Sequence, residues 1–225
     1  LGCVDTPEEA VAGGHGEAYH LKAAGEANWG NMARAIAKIE EARRQGVPVS
    51  ANMYTYTAGS TGFDAAMPLW VQAGGLEAWV ARLQDPPQRA RVIEEMRNPP
   101  AGEENLFRTA GSPERVLLVG FKSPALKPLT GKTLADVMKM RGTSAEDTIV
   151  DLVIEDNSRV QVIYFLMSED NVKLGLSQPW VSLGSDAEAL APEGVFMKSS
   201  THPRAYGNFA RLLGKYSRDE KLMPL

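Results

Sequence analysis

The chain has 225 residues, of which 44% are hydrophobic and 23% charged, with a formal net charge of −4 and a pI near 5.5. These values are typical of a globular protein with a sizeable core, and they do not favour binding to nucleic acid or to an anionic membrane. The single cysteine, Cys3, excludes an internal disulfide and a four-thiolate zinc site. No apolar run approaches the roughly 20 residues of a membrane-spanning helix.

The chain begins with Leu1 and no signal peptide opens it. We therefore expect residue 1 to be an internal point of a longer chain. The cellular location is left open by this expectation, since a soluble protein of this kind can be cytoplasmic or exported.

The first part of the chain alternates extended and helical patterns. A short extended stretch at 17–22 precedes a Gly/Asn loop, and a helix begins near Trp29. Met32, Ile36 and Ile39 recur at i, i+4 and i+7, and the helix ends at Gly46. A strand at 47–54 follows, and the polar, glycine-rich stretch 55–62 is predicted to be a loop.

The rest of the chain continues this alternation. A helical region at 76–96 is interrupted near Pro86 and Pro87. Strands are predicted at 116–121, 161–167 and 181–184, and helices at 132–140, 144–155, 169–175 and 208–216. The second of these helices is capped by Thr143 or Ser144.

Strand and helix alternation with continuously apolar strands predicts a parallel sheet with right-handed crossovers. Such a sheet is either open and doubly wound or part of a closed barrel. No glycine-rich dinucleotide or nucleoside-triphosphate motif follows a strand, so those two functions lose support.

Three groups of polar residues follow predicted strands, where α/β barrels carry their chemistry. His20 and Lys22 share one face of an extended segment and fit a metal and a substrate carboxylate. Tyr54 and Ser60 can donate hydrogen bonds to a substrate oxygen. Asp186 can bind a metal and take a proton from a metal-bound water.

Each group also has a simpler interpretation. His20 and Lys22 can be surface residues at a strand end, Tyr54 can be a core aromatic, and Asp186 can cap a turn. His202 and Arg204 can support the metal ligands or the substrate from behind, or they can order their own loop.

Taken together, these segments resemble the N-acyl-D-amino-acid deacylases, or D-aminoacylases, of the metal-dependent amidohydrolase superfamily. The resemblance lies in His20-Leu-Lys-Ala-Ala-Gly25, Asn28-Trp-Gly30, Tyr54-Thr-Tyr-Thr-Ala-Gly-Ser-Thr61, Leu183-Gly-Ser-Asp-Ala187 and Thr201-His-Pro-Arg-Ala-Tyr-Gly207. The motifs occur in the family's order and cover nearly the whole chain.

The resemblance implies an α/β fold, a TIM-like (β/α)8 barrel of the amidohydrolase type, of which residues 1–225 form the C-terminal half. On this interpretation an inserted segment lies near 100–156. The barrel strands would be strand five near 17–22, strand six near 47–54, strand seven near 161–167 and strand eight near 181–186.

The resemblance also implies the roles of individual residues. His20 would bind zinc, Lys22 would engage the free carboxylate of the N-acyl amino acid, and Tyr54 and Ser60 would contact the substrate. Asp186 would contact the metal and act as general base and then general acid. The implied reaction is attack of a zinc-activated hydroxide on the amide carbonyl.

The sequence departs from the family in two ways. The family usually has an aspartate where Asn52 stands and a proline where Thr55 stands. Its other metal ligands, which precede the position of His20, have no counterpart in this chain. His20 and Asp186 are two ligands, and a catalytic zinc takes at least three from the protein, with one or two ions expected in the complete protein.

Three hypotheses therefore stand side by side. The chain can be half of a zinc D-aminoacylase acting on a small N-acyl amino acid, and inactive alone. It can be a non-catalytic α/β module, or a half-barrel that associates with itself or with another chain. It can also be part of a related amidohydrolase that acts on another amide or a cyclic imide.

Overall fold

A computed structural model describes residues 16–195 and 201–224 of the chain, so Cys3 lies outside the described residues. The described residues form two compact units. The first comprises 16–57, 167–189 and 203–224, and the second comprises 58–166, 190–195 and 201–202. No helix in these parts of the chain is both long and apolar enough to cross a membrane.

The first unit is built on a three-stranded parallel sheet. Its strands are β1 (Gly16–Ala18), β2 (Val49–Met53) and β6 (Val181–Leu183), in the order β1-β2-β6. The pairing places Ala18 beside Ala51 and Met53 beside Leu183. The carboxyl ends of all three strands therefore lie along one edge of the sheet.

Helices cover the face of this sheet that carries Ala51 and Met53. Helix α1 (Asn31–Arg44) buries Met32 and Ile36, as its apolar spacing predicted, and packs them with Ala51 and Trp180. Helix α8 (Glu169–Leu176) packs Val172 and Leu176 against Met53 and Tyr216. Asn52 points to the opposite face, because side chains alternate along a strand.

The end of the chain belongs to the first unit. Helix α9 (Arg204–Arg211) is followed by a π-helical segment, Leu212–Asp219. The helix therefore begins four residues before the predicted start at 208. Arg204 and Asn208 are buried although they are polar, which indicates that this helix docks through a polar face.

The second unit contains an antiparallel sheet and a group of helices. The strands β3 (Ala58–Gly62), β4 (Val116–Gly120) and β5 (Gln161–Phe165) are ordered β3-β5-β4. The helices are α2 (Leu69–Gln72), α3 (Gly75–Gln84), α4 (Pro86–Arg97), α5 (Leu106–Ala110), α6 (Leu134–Arg141) and α7 (Ala145–Asp156). Leu83, Met96, Leu118 and Ile149 are fully buried in its core.

Two helix starts in this unit follow directly from the sequence. The predicted break near Pro86 is a real boundary, since Asp85 caps α4 by accepting a hydrogen bond from the Gln88 N–H and Pro86 occupies the first turn. Ser144 caps α7 through the Asp147 N–H.

Two predictions about the strands are wrong. The stretch 161–167 does contain a strand, but it pairs antiparallel with β3 and β4, and β2 pairs directly with β6. The stretch 55–62 contains β3, whose small residues carry no apolar alternation, rather than only a loop. The second unit also covers a longer stretch of the sequence than the insert expected near 100–156.

The first unit's sheet leads to a prediction about association. Among the described residues, β1 and β6 each pair with a strand on one side only, and exposed strand edges favour pairing with another chain. We expect the 225-residue chain, expressed alone, to self-associate. Size-exclusion chromatography with light scattering should show a mass that rises with concentration, and a monomer at every concentration would contradict this expectation.

Candidate functional site

The candidate site lies at the carboxyl edge of the parallel sheet in the first unit. His20 follows the end of β1 by two residues, Tyr54 follows β2 directly, and Asp186 follows β6 by three residues. Because the three strands are parallel neighbours, these residues are brought to the same edge. The carboxyl edge of a parallel sheet is where α/β proteins bind ligands.

Asn52 fixes the backbone of His20. The His20 N–H donates to the Asn52 Oδ1 at 2.8 Å, and the Asn52 Nδ2 donates to the Glu17 Oε1 at 2.8 Å. His20 has a φ of 44°, a left-handed conformation that costs a non-glycine residue roughly 1–2 kcal/mol. The hydrogen bond to Asn52 helps to offset this cost and holds the backbone of His20 in this conformation.

Asp186 also has a left-handed backbone, with a φ of 48°. Its Oδ2 lies 2.8 Å from the Arg204 Nη2, and its Oδ1 accepts a hydrogen bond from the Tyr19 hydroxyl at 3.3 Å. The Arg204 side chain is only 7% exposed, so this ion pair is poorly screened by solvent. The carboxylate is therefore oriented by residues from two other segments.

Tyr54 lies between two cations. The Lys22 Nζ is 5.2 Å from the centre of its ring, and the Arg204 Cζ is 4.5 Å from it, both within cation–π range. The Lys22 Nζ also donates to the His20 carbonyl at 3.0 Å. Burial raises the pKa of Tyr54 to about 12, so its hydroxyl remains a proton donor at neutral pH.

The imidazole of His20 lies beside aromatic and cationic neighbours. Its ring centre is 4.7 Å from that of Tyr19. Burial lowers the pKa of His20 below its usual value, and the positive charge of Lys22 lowers it further. The neutral imidazole, which is the form that binds metals, is thereby favoured.

No family model matches the chain. A D-aminoacylase of Alcaligenes xylosoxydans xylosoxydans is 35% identical over 116 residues, which are 50% of this chain and 22% of that protein. An N-acyl-D-glutamate deacylase of the same organism is 26% identical over 206 residues, or 92% of this chain and 31% of that protein.

Solved structures give the same result. An N-acyl-D-glutamate deacylase from Bordetella bronchiseptica, complexed with zinc and a phosphonate inhibitor, superposes with a TM-score of 0.63 at 24% identity. The match covers 97% of this chain and 35% of that one. A D-aminoacylase with a binuclear metal centre has a TM-score of 0.58 at 27% identity, over 93% of this chain and 32% of that one.

These matches identify the chain's relatives. Its homologues are D-aminoacylases and N-acyl-D-glutamate deacylases of the amidohydrolase superfamily. The resemblance seen in the sequence is thus confirmed, and the structural neighbours are TIM-barrel enzymes that bind metals. The chain spans only about a third or less of the length of these deacylases.

The described residues do not make a zinc site by themselves. They contain no group of three or more His, Cys, Asp and Glu side chains placed to hold a metal ion. A catalytic zinc takes three protein ligands, and of the expected ligands the candidate site contains His20 and Asp186. Any metal bound as in the relatives would need further ligands from outside the described residues.

Two predicted site residues belong to the second unit. Ser60 lies on β3 in the second unit, and its Oγ donates to the Val162 carbonyl at 3.0 Å. His202 is buried and is also assigned to the second unit. Arg204, which was expected to support the metal ligands, to lie on the substrate side or to order its loop, contacts Asp186 and Tyr54 directly.

Three participants were not predicted from the sequence. Tyr19 and Glu17 contact the site from the predicted strand-five segment, and their closeness to His20 was the available signal. Asn208 was placed only at the start of a helix, and nothing in the sequence marked its buried amide.

The electrostatics of His20 yield a prediction. In the metal-free chain, we expect NMR titration to give His20 a pKa below 6.5, and Lys22→Met to raise it because a neighbouring positive charge is removed. Lys38→Met, which changes an exposed lysine on α1, should leave it unchanged.

The same shift has a consequence for stability. Because the folded-state pKa of His20 lies below the unfolded value, its contribution to stability is present above pH 6.5 and is lost as the pH falls. The free energies of unfolding in urea of the wild type and of His20→Gln should therefore converge as the pH falls. A His20 pKa at or above 6.5 would contradict both expectations.

Proposed function

We propose that this chain is part of an enzyme that removes the acyl group from N-acyl-D-amino acids, and that it supplies the subsite for the substrate's free carboxylate. The observation that carries the proposal is the convergence of Lys22 and Arg204 on Tyr54. Two cations and a protonated phenol are the donors that suit a carboxylate. The deacylase relatives favour an N-acyl amino acid as the molecule that bears it.

Asp186 would handle the proton in this reaction. A carboxylate at the end of a barrel strand can take a proton from the attacking water and return it to the leaving amine nitrogen. Its contacts with Arg204 and Tyr19 would aim the carboxylate at the amide adjacent to the carboxylate subsite. Asp186 would thus be the catalytic residue of this chain.

The hydrolysis would require zinc in the complete protein, and His20 and Asp186 are the ligands that this chain would contribute. The low pKa of His20 supports this role, because a metal binds the neutral imidazole. The remaining ligands would come from residues outside the described part of the chain.

The proposal is tested with the full-length protein and two matched substrates. One is an N-acetyl-D-amino acid, and the other is the corresponding primary amide, which lacks the free carboxylate. Lys22→Met should lower kcat/KM for the acid roughly 10- to 150-fold, since a hydrogen bond to a charged group contributes about 1.5–3 kcal/mol. The same variant should barely affect removal of the acetyl group from the primary amide.

Lys38→Met serves as the matched control, because Lys38 is an exposed lysine in the same unit. Equal losses on the acid and the amide would refute the carboxylate subsite. Preference for a cyclic imide, or for the L-enantiomer of the acid, would favour a related amidohydrolase over a D-aminoacylase.

A further inference from the structure

One face of α9 docks on the carboxyl edge of the parallel sheet. Arg204, Asn208 and Arg211 lie at i, i+4 and i+7, which places them on the same face of the helix. Arg204 contacts Asp186, and the Arg211 Nε donates to the Thr55 carbonyl at 2.9 Å. Asn208, between them, makes the most extensive set of contacts.

The Asn208 side chain joins the ends of two strands. Its Oδ1 accepts hydrogen bonds from the Thr55 N–H at 2.7 Å and from the Thr55 hydroxyl at 2.9 Å. Its Nδ2 donates to the Gly184 carbonyl at 3.0 Å. Thr55 and Asn208 are both 0% exposed, so water cannot take the place of these bonds without rearrangement.

These contacts lie next to three residues of the candidate site, Tyr54, Asp186 and Arg204. Thr55 follows Tyr54 in the chain, Gly184 precedes Asp186 by two residues, and Arg204 lies one helical turn before Asn208. The Asn208 amide thus fixes the backbone beside Tyr54, the backbone beside Asp186 and the helix that carries Arg204. Errors of about 1 Å in such groups can lower a rate roughly 100-fold.

The contact depends on a backbone N–H at position 55. Proline, which has no N–H to donate, could not make this contact at position 55. Thr55 supplies both that N–H and a hydroxyl, and both point to the Asn208 Oδ1.

We propose that Asn208, paired with Thr55, is a positioning residue that holds Tyr54, Asp186 and Arg204 in the relative positions that deacylation needs. Its effect on turnover rests on the proposed function, whereas its effect on the backbone does not. It touches neither the substrate subsite nor the reacting atoms, so its influence must pass through the residues that it positions.

The experiment uses the full-length protein with Asn208→Ala, Asp186→Asn and their combination. Hydrogen exchange of the peptide that contains Thr55 reports on the contact itself, and kcat and KM for an N-acetyl-D-amino acid report on turnover. Asn105→Ala is the matched control, because Asn105 is a buried asparagine that binds backbone groups in the second unit.

We expect Asn208→Ala to raise exchange at Thr55 at least about tenfold and to lower kcat/KM roughly 100-fold. In the Asp186→Asn background the further loss of kcat/KM should be smaller than in the wild type, because the part of the effect that passes through Asp186 is already lost. Asn105→Ala should leave exchange at Thr55 unchanged even where it lowers stability.

Two results would overturn the proposal. One is unchanged exchange at Thr55 in Asn208→Ala, and the other is the same loss of kcat/KM in both backgrounds. If the wild type has no deacylase activity, the proposed function fails, and exchange at Thr55 still decides whether the contact exists. If Asn208→Ala does not fold, Thr55→Val replaces it, because valine keeps the backbone N–H and removes the hydroxyl. Thr55→Ser, which keeps both groups, should give the wild-type values.

Discussion

The parallel pairing of β2 with both of its neighbours is the constraint on which the candidate site depends. The register sets Ala51 beside both Ala18 and Val181, so the strands stop within a few residues of one another. Ala51 is fully buried under α1, and its small side chain lets the helix approach the sheet. A shift of register by one residue would turn Asn52 toward the helices and release His20.

The sequence predicted helices better than it predicted strand pairing. Apolar spacing located α1, because Met32 and Ile36 face the sheet whatever the sheet's topology. The apolar run of β5 predicted a buried strand, but burial does not reveal direction, and Val162 and Tyr164 are equally buried in an antiparallel sheet. The Met167 N–H donates to the Thr57 carbonyl at 2.9 Å, so the chain leaves and re-enters the first unit at adjacent points. Adjacent ends of this kind allow a compact unit to be inserted between two strands.

The sequence predicted the site residues at the ends of single strands, but it did not predict the contacts between them. His20, Lys22, Tyr54 and Asp186 were identifiable because each lies at or just after the end of a predicted strand. The hydrogen bonds that orient them were not, since Tyr19 to Asp186 and Thr55 to Asn208 join residues 167 and 153 positions apart. Ser60 was assigned to a loop rather than to β3, because its small neighbours gave no strand signal.

The ion pair between Arg204 and Asp186 is better explained by function than by stability. Removing two charges from water costs several kcal/mol per ion, and replacing a buried pair with apolar residues is often neutral or stabilising. Asp186 itself, and His20 at the same sheet edge, also have left-handed backbones, which cost free energy. Such costs gathered at one sheet edge are characteristic of a site shaped for a ligand. Under the proposed function, the cations around Tyr54 would meet the carboxylate of the substrate.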